Sequence, residues 1–140
     1  THPFNVGTMD GYNFSFSGFK TSVLYYLRDQ IEKDPNFIEK NKEDLCASIQ
    51  DSILGALFKK LEKLVEETGI KDVAIAGGVS ANSELRARLA AKREEGWNTH
   101  IPKFEYCTDN AAMIAMAGFF SYEAEKYGEL AAAPQARMPF

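Results

Sequence analysis

Residues 71–86 read KDVAIAGGVSANSELR. The first seven, KDVAIAG, are short, apolar and β-branched, which predicts a buried strand. The strand then stops at Gly77-Gly78, and Asn82 stands where a helical pattern begins. A strand-to-helix turn of this kind lies at the carboxyl end of the strand, where open α/β sheets bind ligands. Glycines there permit positive φ and let a flat ring or a phosphate lie on bare backbone. Asn82 offers both an acceptor and donors. A purely structural reading fits the same letters: two glycines make a tight turn, and Ser80 or Asn82 caps the helix. The pattern is neither G-x-G-x-x-G nor a phosphate-binding P-loop.

Working outward, the helix after Asn82 is predicted to run to about Glu95 and to close at Gly96. NTHI (98–101) is a second strand candidate, ended by Pro102. CTDNAAMIAMAGFFSYEAEKYG (107–128) is predicted helical from about Asp109 to Tyr127. Its first half is apolar almost all round, so it is expected to be buried, with Met113 and Met116 as core filler. Upstream, YNFSF (12–16) alternates like a short strand. FKTSVLYYLRDQI then carries apolar residues at helical spacing, and the polar EKDPNFIEKNK forms a connection. A long helix is predicted from about Lys42 to Thr68, with Leu45, Ile49, Ile53, Leu57, Leu61, Leu64 and Val65 as its stripe. Gly69 reads as its C′ stop. The order β-α-α-β-α-β-α implies an α/β layer architecture, a short sheet flanked by helices with parallel crossovers.

The 140 residues fit one domain or one lobe, and about that length buries roughly two thirds of its unfolded surface. Apolar residues make up 45% and charged residues 26%, as in ordinary globular chains. No apolar run reaches the ~20 residues that span a bilayer, and no signal peptide is visible, so no membrane partner is expected and the location expected is cytoplasmic. Cys46 and Cys107 make neither a disulfide framework nor a metal cluster. The missing initiator Met suggests a fragment. With a net charge of −4, the whole chain makes no electrostatic case for nucleic acid. Its one basic cluster, Arg86, Arg88, Lys92 and Arg93, is interrupted by Glu84, Glu94 and Glu95 and reads as a solvated helix face.

Asp109 stands just before the last helix. It reads as an N-cap carboxylate or as a hard metal ligand that lacks nearby partners. His2 and His100 are isolated, and His100 reads as structural. Cys107 as a nucleophile would need His100 as its base. Ser15 and Ser17 precede a helix and read as caps.

FSFSGFKTSVL (14–24), IAGGVSANSELR (75–86) and CTDNAAMIAMAG (107–118) occur in the order, and at about the spacing, of the TsaD family. This family comprises the tRNA threonylcarbamoyladenosine synthase subunit, formerly called O-sialoglycoprotein endopeptidase or Gcp. The resemblance covers nearly all of this chain but only the C-terminal part of the family pattern. It implies one lobe of the actin/Hsp70/sugar-kinase (ribonuclease H-like) fold, with nucleotide and metal in the cleft between two lobes. It implies transfer of threonylcarbamoyl from threonylcarbamoyl-AMP to N6 of adenosine 37 in tRNA, alongside TsaB- and TsaE-like proteins. By that resemblance Gly77 and Gly78 would lie beside the adenine or ribose, and Asn82 would hydrogen-bond the nucleotide. Asp109 would be one ligand of a divalent iron or zinc ion, whose two His ligands belong to an H-x-x-x-H motif not found here. Departures are Phe19 in place of a usual Leu, and a tail PQARMP that keeps Arg137 and Pro139 but has Met138 at the Trp position. GTMD (7–10) is no substitute for a phosphate-binding D-x-G-T-like loop. The lobe alone is therefore expected to be inactive and, with its interface uncovered, to self-associate.

Overall fold

The computed structural model describes residues 2, 4, 6, 7, 9–108 and 110–133. Four helices and two strands form among them: α1 (Ser17–Lys33), α2 (Phe37–Thr68), β1 (Asp72–Ala74), α3 (Ser83–Ala91), β2 (Asn98–His100) and α4 (Ala111–Glu123). Three short 3-10 turns lie at Gly78–Ala81, Lys92–Glu95 and Phe104–Tyr106. The chain divides into two compact units, Thr1–Asp72 with Gly96–Asn98, and Val73–Glu95 with Thr99–Phe140.

The first unit is built on a helical hairpin, α1 against α2. The hinge is Asp34-Pro35-Asn36. Its Asp34 carboxylate accepts from the Asn36 N–H at 3.0 Å and the Lys40 ammonium at 2.6 Å. The Lys40 hydrogen bond, then the Asn36 N–H, hold the Asp34 carboxyl below its ordinary range. Because this turn is so tight, α2 starts at Phe37, earlier than the predicted Lys42. It ends at Gly69 as expected: the residue is left-handed at φ 70°, and its N–H donates to Val65 O at 2.9 Å.

The stripe of α2 is the predicted one, rotated slightly. Leu45, Leu54, Phe58 and Val65 are buried, while Ile49, Ile53, Leu57, Leu61 and Leu64 are half-buried. Each fully buried large side chain contributes about 1.5–3 kcal/mol relative to exposure. Phe19 of α1 joins this core. His2 is not a lone terminal residue. Its Nδ1 lies 2.7 Å from the Tyr26 hydroxyl, and its ring packs among Phe4, Tyr26 and Phe37.

The predicted strand at 12–16 does not form. The Asn13 carbonyl is taken by the Lys60 ammonium, which also holds Met9 O at 2.7 Å and sits over the Phe14 ring. No strand pairs with this segment: among the described residues the sheet holds β1 and β2 alone. The Tyr12 hydroxyl donates to Glu67, and that bond pushes the Tyr12 phenol above its ordinary value. Ser15 and Ser17 do not cap α1: their hydroxyls meet each other at 3.2 Å, and the N-cap position, Phe16, has no side-chain bond.

β1 and β2 form a two-stranded sheet. The Asn98 N–H donates to Lys71 O at 2.9 Å and the Ile75 N–H to His100 O at 3.2 Å. Partner numbers rise together, so the strands are parallel, and α3 is the crossover between them. The strand predicted to be buried throughout has one buried residue, Val73. In the second unit Leu85 and Leu89, one turn apart on α3, are buried with Cys107 and with two polar residues, Ser80 and Thr99.

α4 departs most from expectation. No described residue of it is buried: Ile114, Met116, Phe119, Phe120 and Tyr122 are all more than half exposed. Its composition is that of a buried helix, but the described residues supply no layer to cover it. Met113 and Met116 are therefore not core filler in this chain.

Candidate site at the Gly77–Asn82 turn

The site grows out of the end of β1. Gly77 has φ 73° and ψ 178°, a combination essentially confined to glycine. A Cβ on either Gly77 or Gly78 would meet nothing within 4 Å, so both present bare backbone to open space. The chain then tightens into the 3-10 turn Gly78–Ala81, which periodicity did not foretell. Ser80, 1% exposed, closes it. Its hydroxyl and its N–H both donate to Gly77 O, at 2.7 and 3.0 Å.

Asn82 ends that turn in extended conformation and caps α3. Its Oδ1 accepts from the Leu85 N–H at 2.9 Å. The cap thus fixes where the Asn82 side chain stands, at the mouth of the turn. The helix it starts is Ser83–Ala91, shorter than the predicted span to Glu95, because Lys92–Glu95 tightens into a 3-10 turn. Exposed glycine backbone beside a capped helix N-terminus suits a flat, partly anionic group: the glycines remove steric walls, and the helix end favours negative charge.

The expected basic face proves to be divided. Arg88 and Lys92 pair with Glu84 and Glu95 at 2.7 and 2.8 Å, although the Lys92 side chain is only 15% exposed. Arg86, half-buried, and Arg93, exposed, instead bond to oxygens elsewhere in the same unit. Arg93 donates to the Thr99 hydroxyl and carbonyl at 2.7 and 3.1 Å. Arg86 donates to Ser80 O at 3.0 Å and Pro102 O at 2.8 Å. Both were missed because an arginine's direction depends on which loop crosses the helix, and spacing along the chain does not carry that.

Cys107 is 1% exposed, with its thiol 3.6 Å from Lys103 O and 3.7 Å from Arg86 Nη1. A thiol so enclosed is not placed as a nucleophile. Asp109 lies outside the described residues. The cap of α4 falls to Asn110, whose Oδ1 accepts from the Met113 N–H at 2.9 Å. Among the described residues no group of three or more His, Cys, Asp or Glu is placed to hold a metal ion. None of their helices is long and apolar enough to cross a membrane. In the first unit a cavity of about 470 Å³, lined in part by Lys59, Lys60 and Lys63, includes none of the predicted site residues.

The family described as tRNA N6-adenosine threonylcarbamoyltransferase, TsaD, matches residues 1–116. The chain belongs to the TsaD family. Curated relatives bearing that same description include one from Cytophaga hutchinsonii, 52% identical over 137 residues, which span 97% of this chain and 40% of the relative. One from Christiangramia forsetii is 53% identical over 94% of this chain and 39% of its own length. One from Riemerella anatipestifer is 50% identical over 96% and 40%. The chain thus spans about two fifths of the length of these TsaD relatives.

Proposed function

We propose that this chain is the C-terminal lobe of a TsaD-type transferase with the actin-like fold, working in the cytoplasm. The full-length protein moves threonylcarbamoyl from threonylcarbamoyl-AMP to N6 of adenosine 37 in tRNA. The lobe by itself does not turn over, since the phosphate-binding loop expected of the other lobe is not in its sequence. The observation that carries this reading is the exposed Gly77-Gly78 backbone, with Gly77 in a conformation only glycine adopts, shortly before the Asn82 cap.

In this reading the adenosine part of the substrate lies flat on Gly77 and Gly78, and Asn82 hydrogen-bonds it. The chemistry is positional. N6 of the tRNA adenosine attacks the carbamoyl carbon, the new C–N bond forms, and the bond to the phosphate oxygen breaks. AMP leaves with that electron pair, and N6 loses a proton. Among the described residues no group of three or more His, Cys, Asp or Glu makes up a donor set for iron or zinc. Asp109 is the one ligand this chain would supply. TsaB- and TsaE-like proteins are proposed as partners of the full-length protein. Self-association of the lone lobe is proposed from the uncovered apolar side chains of α4, and dilution-dependent size in solution checks it.

Asn82→Asp tests the site. Asp caps as well as Asn, so melting stays unchanged, but the amide donor is gone and threonylcarbamoyl-AMP affinity of the full-length protein falls. Unchanged affinity would count against the placement. Asp109→Ala in the same protein loses bound iron or zinc by elemental analysis while keeping its circular dichroism.

A further inference from the structure

Arg86 does more than hold α3 to its surroundings. Its guanidinium reaches the candidate turn at Ser80 O, at 3.0 Å, and the loop after β2 at Pro102 O, at 2.8 Å. Its Nη1 also lies 3.7 Å from the buried Cys107 thiol. Ser80 in turn holds Gly77 O through its hydroxyl and its N–H. A continuous path of hydrogen bonds therefore runs from the Gly77 carbonyl through Ser80 and Arg86 to residues 102–107. Asp109 follows two residues beyond. All of the named acceptors are neutral, and the charged donor strengthens each bond. The planar fork is what allows one side chain to serve two carbonyls on separate loops.

We propose that Arg86 is a positioning residue for the adenylate site. It fixes the Gly77–Gly78 backbone in register with the loop at 102–107, so the surface under the nucleotide is set by one side chain. This rests on the adenylate reading of the turn. Arg86 touches no substrate in this account. It acts through Ser80 on one side and through Pro102 and Cys107 on the other.

The test uses the full-length protein with Arg86→Met and Arg86→Lys, and two independent readouts. The first is local: peptide-resolved hydrogen exchange over 77–82 and 102–107, with thiol labelling at Cys107. The second is AMP affinity by calorimetry, with transfer kinetics beside it. In Arg86→Met both segments exchange faster, Cys107 labels faster, and AMP affinity falls on the order of tenfold, a typical coupling between sites. Arg86→Lys keeps the charge but reaches one carbonyl at a time, so it recovers part of the affinity. If Arg86→Met does not fold, Arg86→Lys decides by the same readouts. Loosened loops with unchanged AMP affinity overturn the proposal and leave Arg86 a brace of the fold. Unchanged exchange and labelling overturn it as well. Failure of the unsubstituted protein to bind AMP is a different result: it removes the adenylate reading, and the positioning role with it.

Discussion

The helical hairpin and the unit containing α3 are held by different forces. The hairpin rests on a ladder of apolar side chains along α2, Leu45, Leu54, Phe58 and Val65, met by Phe19. The second unit has a smaller apolar centre, Val73, Leu85, Leu89 and Cys107, and adds arginines that bond to the turn at Ser80, the loop at Pro102 and strand β2 at Thr99. An apolar ladder tolerates surface change and fails by cavity formation. A set of charged staples fixes where particular backbone segments lie. The candidate site lies in the second kind of unit.

Breaking the second unit at its most enclosed point is expected to have the largest effect. Leu89 is 0% exposed, and Leu89→Ala costs about 2–5 kcal/mol, measured by denaturant unfolding. A value near that of a surface substitution means the arginine staples, not the apolar centre, carry this unit. Next in size is the pair Gly77→Ala and Gly78→Ala. At Gly77 a side chain is forced into a glycine-only conformation, which costs about 1–3 kcal/mol. At Gly78 there is open space and no positive φ, so melting barely moves. Gly78→Ala nonetheless weakens nucleotide binding if the backbone there is a binding surface. Equal melting losses in the two variants would show that the turn is not read correctly.

The smallest effect belongs to the hairpin's hinge. The Asp34 carboxyl is held low by the Lys40 hydrogen bond and the Asn36 N–H. Its folded value is depressed, so its contribution is present above the ordinary carboxylate range and fades as pH falls through the folded value. The group is exposed, so the effect is slight. Asp34→Asn should remove this part of the acid sensitivity and little else, as thermal melts across acidic pH can show.

Much of the hairpin was legible because apolar spacing reports directly on an apolar ladder. The stop at Gly69 was legible for a similar reason: left-handed backbone favours glycine. The strand misread at 12–16 shows the limit. Alternation predicts a pleated face, but a strand also needs a partner strand, and among the described residues the sheet holds β1 and β2 alone. At the candidate site, the glycine turn at Gly77 and the Asn82 cap were legible from their chemistry. Arg86 was not, since its partners are backbone carbonyls of loops, which no side-chain pattern encodes. α4 was read correctly as a helix but incorrectly as buried, because burial is a property of what lies outside the helix.

The bare flank of α4 also governs how the chain behaves in a tube. Attraction between oily surfaces fades on cooling and grows when sulfate is added. Chilled, low-salt buffer should keep these molecules dispersed, whereas warmth or ammonium sulfate should gather them early.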